Sequence, residues 1–430
     1  MPASTEHVRV PSDLHGQPRR VATTKVSLRH TFRALRHRNY RLFFFGQLVS
    51  LVGTWMQQTA IAWLVYDITG SKFLLGAIAA VGSAPMMLFA IWGGILADKY
   101  PKRSILIVTQ IFEMIFAFAF AAVVWRHFTS TTLIMIIAAV NGIALGFEMP
   151  ARQAFTVEMT SREDLLNAIS LNSSIFNGAR IVGPSIAGLL IASVGTTMCF
   201  FLNGVSFIAV IAGYLMMDVR HIKPAPRDAE AAHPLSGVKY AFTNRRVRTI
   251  LSLFGVVGVF GWSYAVLMPA FARDILHLGP NGYGVLMSAS GIGALVGALF
   301  VATFGDRMSP RGMALGGLWI FAGSVIGLAL TSNFYLSLGM LFVSGLGMLL
   351  FFSTSNTVLQ TIVPDSMRGR IMGVWSLIFG AMIPLGSLEA GAVAGWLGTQ
   401  YSLALGATVC AIAGLVALFA IKRRVAEEGT

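Results

Sequence analysis

Apolar positions in this chain run in long unbroken stretches and do not alternate with polar ones. Twelve stretches reach the roughly 20 residues that a helix needs to cross a bilayer core. They lie near 40–66, 73–97, 104–125, 131–155, 165–193, 197–217, 248–272, 281–304, 312–331, 334–361, 369–397 and 402–421. Several are long enough to tilt or to extend into the headgroups. Unbroken apolarity predicts helices, because barrel strands alternate lipid-facing with lumen-facing residues. Short polar turns separate the stretches, except for a polar tail over 1–39 and a long loop over 218–247 with "KPAPRDAEAAHP" in its middle. The pattern predicts an all-α membrane protein with twelve transmembrane helices.

Composition agrees. The chain of 430 residues is 55% hydrophobic and 12% charged, with mean hydropathy +0.71. Soluble proteins carry roughly 25% charged residues. The 45 glycines suit close helix packing in a membrane.

Net charge of +14 raises the question of nucleic acid, but its distribution answers otherwise. With the amino terminus inside, only Lys72, Arg126 and Arg273 of the 32 Lys and Arg fall on the outer side, and Arg180 lies within a span. Such asymmetry is the positive-inside rule and predicts two cytoplasmic termini. The basic surplus then faces anionic membrane lipids, not nucleic acid. The tail has no apolar core of a signal peptide. Its end, "SLRHTFRALRHRNYRLFF", puts Leu28, Phe32 and Leu35 on one helical face, which predicts a short helix on the inner membrane surface. Cys199 and Cys410 fall inside spans, so no disulfide framework is implied.

The chain repeats itself. "GGILADKYPKR" (Gly93–Arg103) returns as "TFGDRMSPR" from Thr303, with Asp98, Lys99 and Arg103 matching Asp306, Arg307 and Arg311 at a shift of 208. Trp55 and Asp67 match Trp262 and Asp274 at 207. "FNGARIVGPSIAG" (Phe176–Gly188) aligns with "FGAMIPLGSLEAG" (Phe379–Gly391) at 203. The halves are therefore two pseudo-symmetric six-helix bundles, 40–217 and 248–421. A basic tail (1–39), a cytoplasmic linker (218–247) and a short tail (422–430) complete the chain. Equal orientation of the halves places a substrate cavity between them near mid-membrane.

These features resemble the major facilitator superfamily. The resemblance covers about Leu35 to Leu418 and rests on the repeated charged loop and on "GARIVGPSIAG". "LRHRNYRLFFFGQLVSLVGTWMQQTAIAWLVYDITGS", "PARQAFTVEM" and "NAISLNSSIFNGARIVGPSIAG" narrow it. They are similar to the branch of proton-coupled exporters that contains the enterobactin exporter and the transmembrane secretion effectors. The resemblance implies a transporter working as one chain by alternating access, with no cofactor. Substrate identity is not implied by it.

The charged loop reads as a conformational latch. Gly93 and Gly94 let the end of the second span approach another helix, and Asp98 suits the exposed N–H groups at a helix start. In the resembled family that start belongs to the eleventh span, here near 367–370. Lys99, Lys102 and Arg103 hold the loop at the anionic surface, with Glu148 and Arg152 of "EMPAR" as candidate partners. Asp306, Arg307 and Arg311 form a weaker second copy, with Ala302 in place of Gly94. On this reading Asp98→Asn inserts normally and abolishes transport.

Charges inside a membrane cost roughly 2.5–3.5 kcal/mol each on insertion scales, so each needs a reason. Arg180 lies about 15 residues, or ~22 Å, into the fifth span. It cannot shed its proton, and it reads as a substrate anchor or as the partner of a proton-carrying acid, with a fixed ion pair as the plain alternative. Asn172 and Asn177 flank it. Glu113 and Glu389 are candidate proton carriers, although family geometry makes the third span peripheral. Asp67 and Asp274 read as solvated caps at outer span ends. Gly178, Gly183 and Gly188, with the bend at Pro184, permit close helix contact, and in the resembled family this motif marks antiporters. Family geometry lines the cavity with the first, fourth, seventh and tenth spans. These offer Trp55, Gln57, Gln58, Trp63, Asn141, Trp262, Tyr264, Phe351, Phe352, Ser353 and Asn356 to a sizeable amphiphilic molecule.

The leading expectation is proton-coupled efflux of a small siderophore-like or drug-like molecule. An importer or symporter on the same fold is the alternative. A membrane enzyme or sensor is remote: no His pairs with Cys or Glu at metal-ligand spacing in a span, and "GxxxxGK[ST]" is missing.

Overall fold

The computed structural model describes residues 32–161, 163–218, 235–305 and 307–428. Its long helices are α1 (Arg38–Thr69), α2 (Lys72–Lys99), α3 (Lys102–Trp125), α4 (Thr131–Glu158), α5 (Leu165–Val194) and α6 (Thr196–Leu215). The second set is α7 (Arg245–Ala270), α8 (Pro280–Phe304), α9 (Pro310–Leu330), α10 (Phe334–Ile362), α11 (Asp365–Leu397) and α12 (Thr399–Glu428). Each corresponds to one of the apolar runs, and all twelve are long and apolar enough to cross a membrane. We call the face that carries residues 32 and 428 near and the opposite face far.

Local chemistry sets the ends. Ser71, Ser130 and Ser309 accept a hydrogen bond from the backbone N–H three residues on, capping α2, α4 and α9. Asn244 and Asn333 cap α7 and α10 in the same way. The turns after α5 and α11 need a left-handed residue, supplied by Gly195 (φ 86°) and Gly398 (φ 97°). These glycines are 203 positions apart, so the repeat is written in the backbone as well as in the side chains.

Three expectations about the polar segments change. Leu28, like all of 1–31, lies outside the described residues. Phe32 leads into a 3₁₀ turn, Arg33–Arg36, and an extended His37 joins that turn to α1. Arg33 pairs with Asp164 at 2.6 Å and Glu163 at 3.1 Å, and His37 Nε2 lies 2.9 Å from Asp164. This turn is clasped to the start of α5. The His37 hydrogen bond, with Arg33 beside it, holds the Asp164 carboxyl below the usual carboxylate range. Within 218–247, residues 219–234 lie outside the described set, while Leu235–Thr243 is a short helix and α7 already starts at Arg245. At the carboxyl end, α12 runs on past 421 to Glu428.

Large apolar side chains such as Ile91, Val108, Leu189 and Trp396 point outward. That surface would be unfavourable in water and is what lipid requires. Inside, α1 packs on α5 and α6, and α2 on α4; in the second half α8 and α9 pack on α10, and α7 on α11. The halves meet mainly where α2 runs along α11 and α5 along α8. Glycine makes both contacts possible. A Cβ on Gly391 would lie 2.9 Å from the Gly76 Cα, and one on Gly284 would lie 3.0 Å from the Gly188 Cα. Gly76 and Gly284 are 208 apart, and Gly188 and Gly391 are 203 apart, so one crossing is made twice.

Candidate functional site

Helices α1, α4 and α5 enclose a cavity of about 560 Å³ that runs from Leu165 near the near face to Asn177 at mid-depth. Gln47, Arg152, Asn172, Phe176 and Asn177 are among its walls. Tyr40 donates to Asn172 Oδ1 at 3.0 Å and fixes that amide at the cavity edge. Trp55 packs edge-on against Phe176, with ring centroids 5.6 Å apart.

One turn beyond Asn177 stands Arg180. It is half-buried, and its guanidinium lies 6.0 Å from the Trp262 ring centroid on α7, in the opposite half. Among the described residues no carboxylate pairs with it. The fixed ion pair weighed from sequence is thus not formed. A permanent cation on an aromatic face at mid-membrane, with amides below it, is an arrangement suited to an acidic group on a guest molecule.

A second polar cluster lies within the first half. Glu148 is 2% and Glu113 6% exposed, and their carboxyl groups are within hydrogen-bonding reach of each other. Arg152 bridges from Glu148 (3.2 Å) to Gln47 (3.2 Å), and Gln47 donates to the Tyr214 hydroxyl at 3.1 Å. One sequence expectation is corrected here. Glu148 is not a partner of the charged loop, because α4 turns it inward. Glu113 lies outside the cavity walls, as a peripheral third span implies, but α3 turns it onto α4. Lys102 takes Glu158 as its partner instead, at 2.7 Å. Arg103 does not reach for lipid: it donates to the Tyr214 and Leu215 carbonyls at 2.7 and 2.9 Å, closing the end of α6.

Other sequence candidates scatter. Gly93 is pressed against the Gly146 carbonyl, but Gly94 faces open space, so one glycine of that pair makes the contact. Gly183 meets Trp55 and Gly188 meets α8, whereas Gly178 has nothing near it. Asp98, Lys99, Arg307 and Arg311 are exposed, and Asp306 lies outside the described residues. Gln57 is bonded to Asn203 at 2.9 Å, Asn356 to Gln360 at 2.6 Å, and Tyr264 to Ser290 at 2.9 Å. Tyr264 and Phe351 are each 1% exposed and belong to the core of the second half, not to a cavity wall. Gln58 is exposed. Both carboxyl oxygens of Glu389 are buried with no partner among the described residues.

The far face holds a group of contacts missed from sequence. Tyr66 donates to Asp274 at 2.5 Å, and Lys72 lies 3.5 Å from the same carboxylate. Arg273 reaches Asp67 at 3.4 Å and sits 5.7 Å from the Tyr66 ring centroid. Trp63 stacks on Tyr283 beneath them, with centroids 5.9 Å apart. All of these join the two halves, so Asp67 and Asp274 are not isolated caps but parts of a closed seam. The signal was available, since Tyr66–Asp67 and Arg273–Asp274 occupy equivalent places in the repeat. A charged-acceptor hydrogen bond contributes about 1.5–3 kcal/mol, so Tyr66→Phe is expected to shift the far-side equilibrium toward open by roughly 10-fold or more. The distance between spin labels at exposed Ile68 and His277, on opposite halves of the far face, reads this directly; an unchanged distance refutes it.

Twelve spanning helices in two related halves, touching along α2–α11 and α5–α8 around a polar mid-membrane site, define a major facilitator transporter. The family model for transmembrane secretion effectors matches residues 29–429, and the chain belongs to that family. It is 25% identical over 355 residues to the staphyloferrin A transporter of Staphylococcus aureus, covering 81% of this chain and 87% of that one. With the multidrug efflux pump Tap of Mycolicibacterium fortuitum it shares 24% identity over 388 residues, 88% of this chain and 94% of the other. Among solved structures, a bacterial homologue of the human lysosomal transporter Spinster, in an inward-facing and unoccupied conformation, superposes with TM-score 0.71 at 13% identity. That match covers 89% of this chain and 97% of the other, and it speaks to the fold alone. The protein is a multi-pass membrane transporter of small molecules, not an enzyme.

Proposed function

We propose that this transporter exports a small amphiphilic molecule with an acidic or catechol-like head, in exchange for protons, from a cavity that opens to the cytoplasm. The carrying observation is Arg180, a permanent cation at mid-depth with no acid beside it among the described residues and a facing aromatic from the other half. A siderophore transporter and a multidrug efflux pump among the relatives are in keeping with a small amphiphilic guest. The near face is taken as cytoplasmic from the distribution of Lys and Arg. The bundles 40–217 and 248–421 are taken as the two rocking bodies, monomeric in operation, with the Asp98 loop as a conformational latch.

The test uses liposomes with a trapped pH dye and outward gradients of catechols, siderophore-like acids and lipophilic cations. Proton movement opposite to an acidic compound, lost in Arg180→Ala, is the expected result. Proton movement in the same direction as the compound would replace export by symport, and response to cations alone would remove Arg180 from the site.

A further inference from the structure

The buried cluster of the first half carries one negative charge too many. Glu113 on α3 and Glu148 on α4 face each other, and Arg152 is the one fixed cation acting on them among the described residues. Among the described residues, the other elements packed against the pair bring no second cation. From α1 comes Gln47, and from α6 comes Tyr214, whose hydroxyl accepts from Gln47. At the α4 crossing, α2 presents Met86, Phe89 and Gly93. Lys102 is engaged with Glu158, and Arg103 with carbonyls of α6. Within α3, Gln110 reaches Glu113 Oε2 at a long 3.4 Å, and Glu113 Oε1 has no donor among the described residues. Two carboxylates in contact in a low-dielectric interior do not both stay ionised beside a single arginine. One proton balances the charge, supplies the missing donor and joins the two acids.

We propose that Glu113 and Glu148 together bind one exchangeable proton, and that this pair is the proton-carrying site of the transporter. Neither acid lines the cavity, but Arg152 and Gln47 do. The way from water to the pair therefore leads past Arg152, from the side on which the cavity is open. Closing that side would cut the route and oblige the proton to leave elsewhere. Glu389 differs: among the described residues neither of its carboxyl oxygens has a partner, so no neighbouring acid shares a proton with it. The assignment of the pair as the coupling site rests on the proton-exchange reading above, but proton binding by the pair does not.

The experiment keeps the two apart. Infrared difference spectra of the purified full chain in lipid nanodiscs, between acidic and alkaline buffer, report the carbonyl stretch of protonated carboxylic acids without any substrate. The wild type is expected to lose one such buried band on alkalinisation. Glu113→Gln and Glu148→Gln should each remove that titrating band, Glu113→Asp should retain it, and Glu389→Gln should leave it unchanged. A titrating band that survives in both glutamine variants, or that disappears only in Glu389→Gln, overturns the proposal. Monodisperse elution of each variant guards against misfolding, and the amide keeps the volume of the acid. Should the band behave as expected while liposomes show no proton exchange, the proton site stands and the exporter reading falls.

Discussion

Arg180→Ala is expected to lower transport of an acidic amphiphile by roughly 10- to 150-fold, the equivalent of one lost hydrogen bond to a charged group at about 1.5–3 kcal/mol. Nothing compensates for the loss. No neighbouring cation among the described residues replaces Arg180 at this depth, since Arg152 is held by Glu148 and Gln47. Fold stability should change little, because no carboxylate is left stranded when the guanidinium goes. Arg180→Lys separates charge from shape. It keeps a cation in the span but loses the flat face that lies over Trp262, so it should recover part of the activity. Initial rates in everted vesicles at matched protein levels measure both. Wild-type rates for Arg180→Ala with every compound tried would show that the arginine serves only the fold.

Gly284→Val is expected to stop turnover while leaving insertion intact. A Cβ there would stand 2.5 Å from the Pro184 carbonyl and 3.0 Å from the Gly188 Cα, both backbone atoms that cannot swing aside. Overpacking of this kind costs about 1–3 kcal/mol, and here the whole cost falls on the conformation in which α5 and α8 touch. The far-closed population should drop by about 5- to 150-fold. Gly76→Val should do the same from the other crossing. The variants are predicted to bind substrate from the far side and to fail in exchange. A spin-label pair at exposed Ile68 and His277, on opposite halves of the far face, would report the wider distance. A distance distribution like that of the wild type, with normal exchange, would mean that these glycines only fill space.

How much of this was legible before the structure depends on range. The twelve helices could be read because each is specified by its own apolar run, and several also by a side-chain cap, as with Ser71 and Ser309. The halves could be read because Asp98 and Asp306, or Phe176 and Phe379, repeat at a constant shift. Arg180 drew notice simply by being an ion in a span. What could not be read was rotation about a helix axis. Nothing in the one-dimensional string says that α3 turns Glu113 toward α4, or that Glu148 looks inward while Glu158, ten residues on, takes Lys102. Pairings between halves were equally hidden, because Tyr66 and Asp274 are separated by more than 200 positions. The expected cavity aromatics failed for a related reason: a span that borders a cavity also borders a core, and Tyr264 and Phe351 fall on the core side.

The far-face seam has the geometry of a two-fold dimer interface. Position 66 touches 274, and its counterpart 273 touches 67; glycine 76 meets 391, and its counterpart 284 meets 188. Such a contact is isologous, the kind that two identical subunits make with one another. A single six-helix unit carrying this surface would already be self-complementary and able to pair as a homodimer. Fusing two copies leaves the interface in place and frees each copy to diverge, with tyrosine on one side and arginine on the other. Asymmetry inside the membrane, such as Arg180 in one half and Glu389 in the other, could then accumulate without unmaking the closure that both halves inherited.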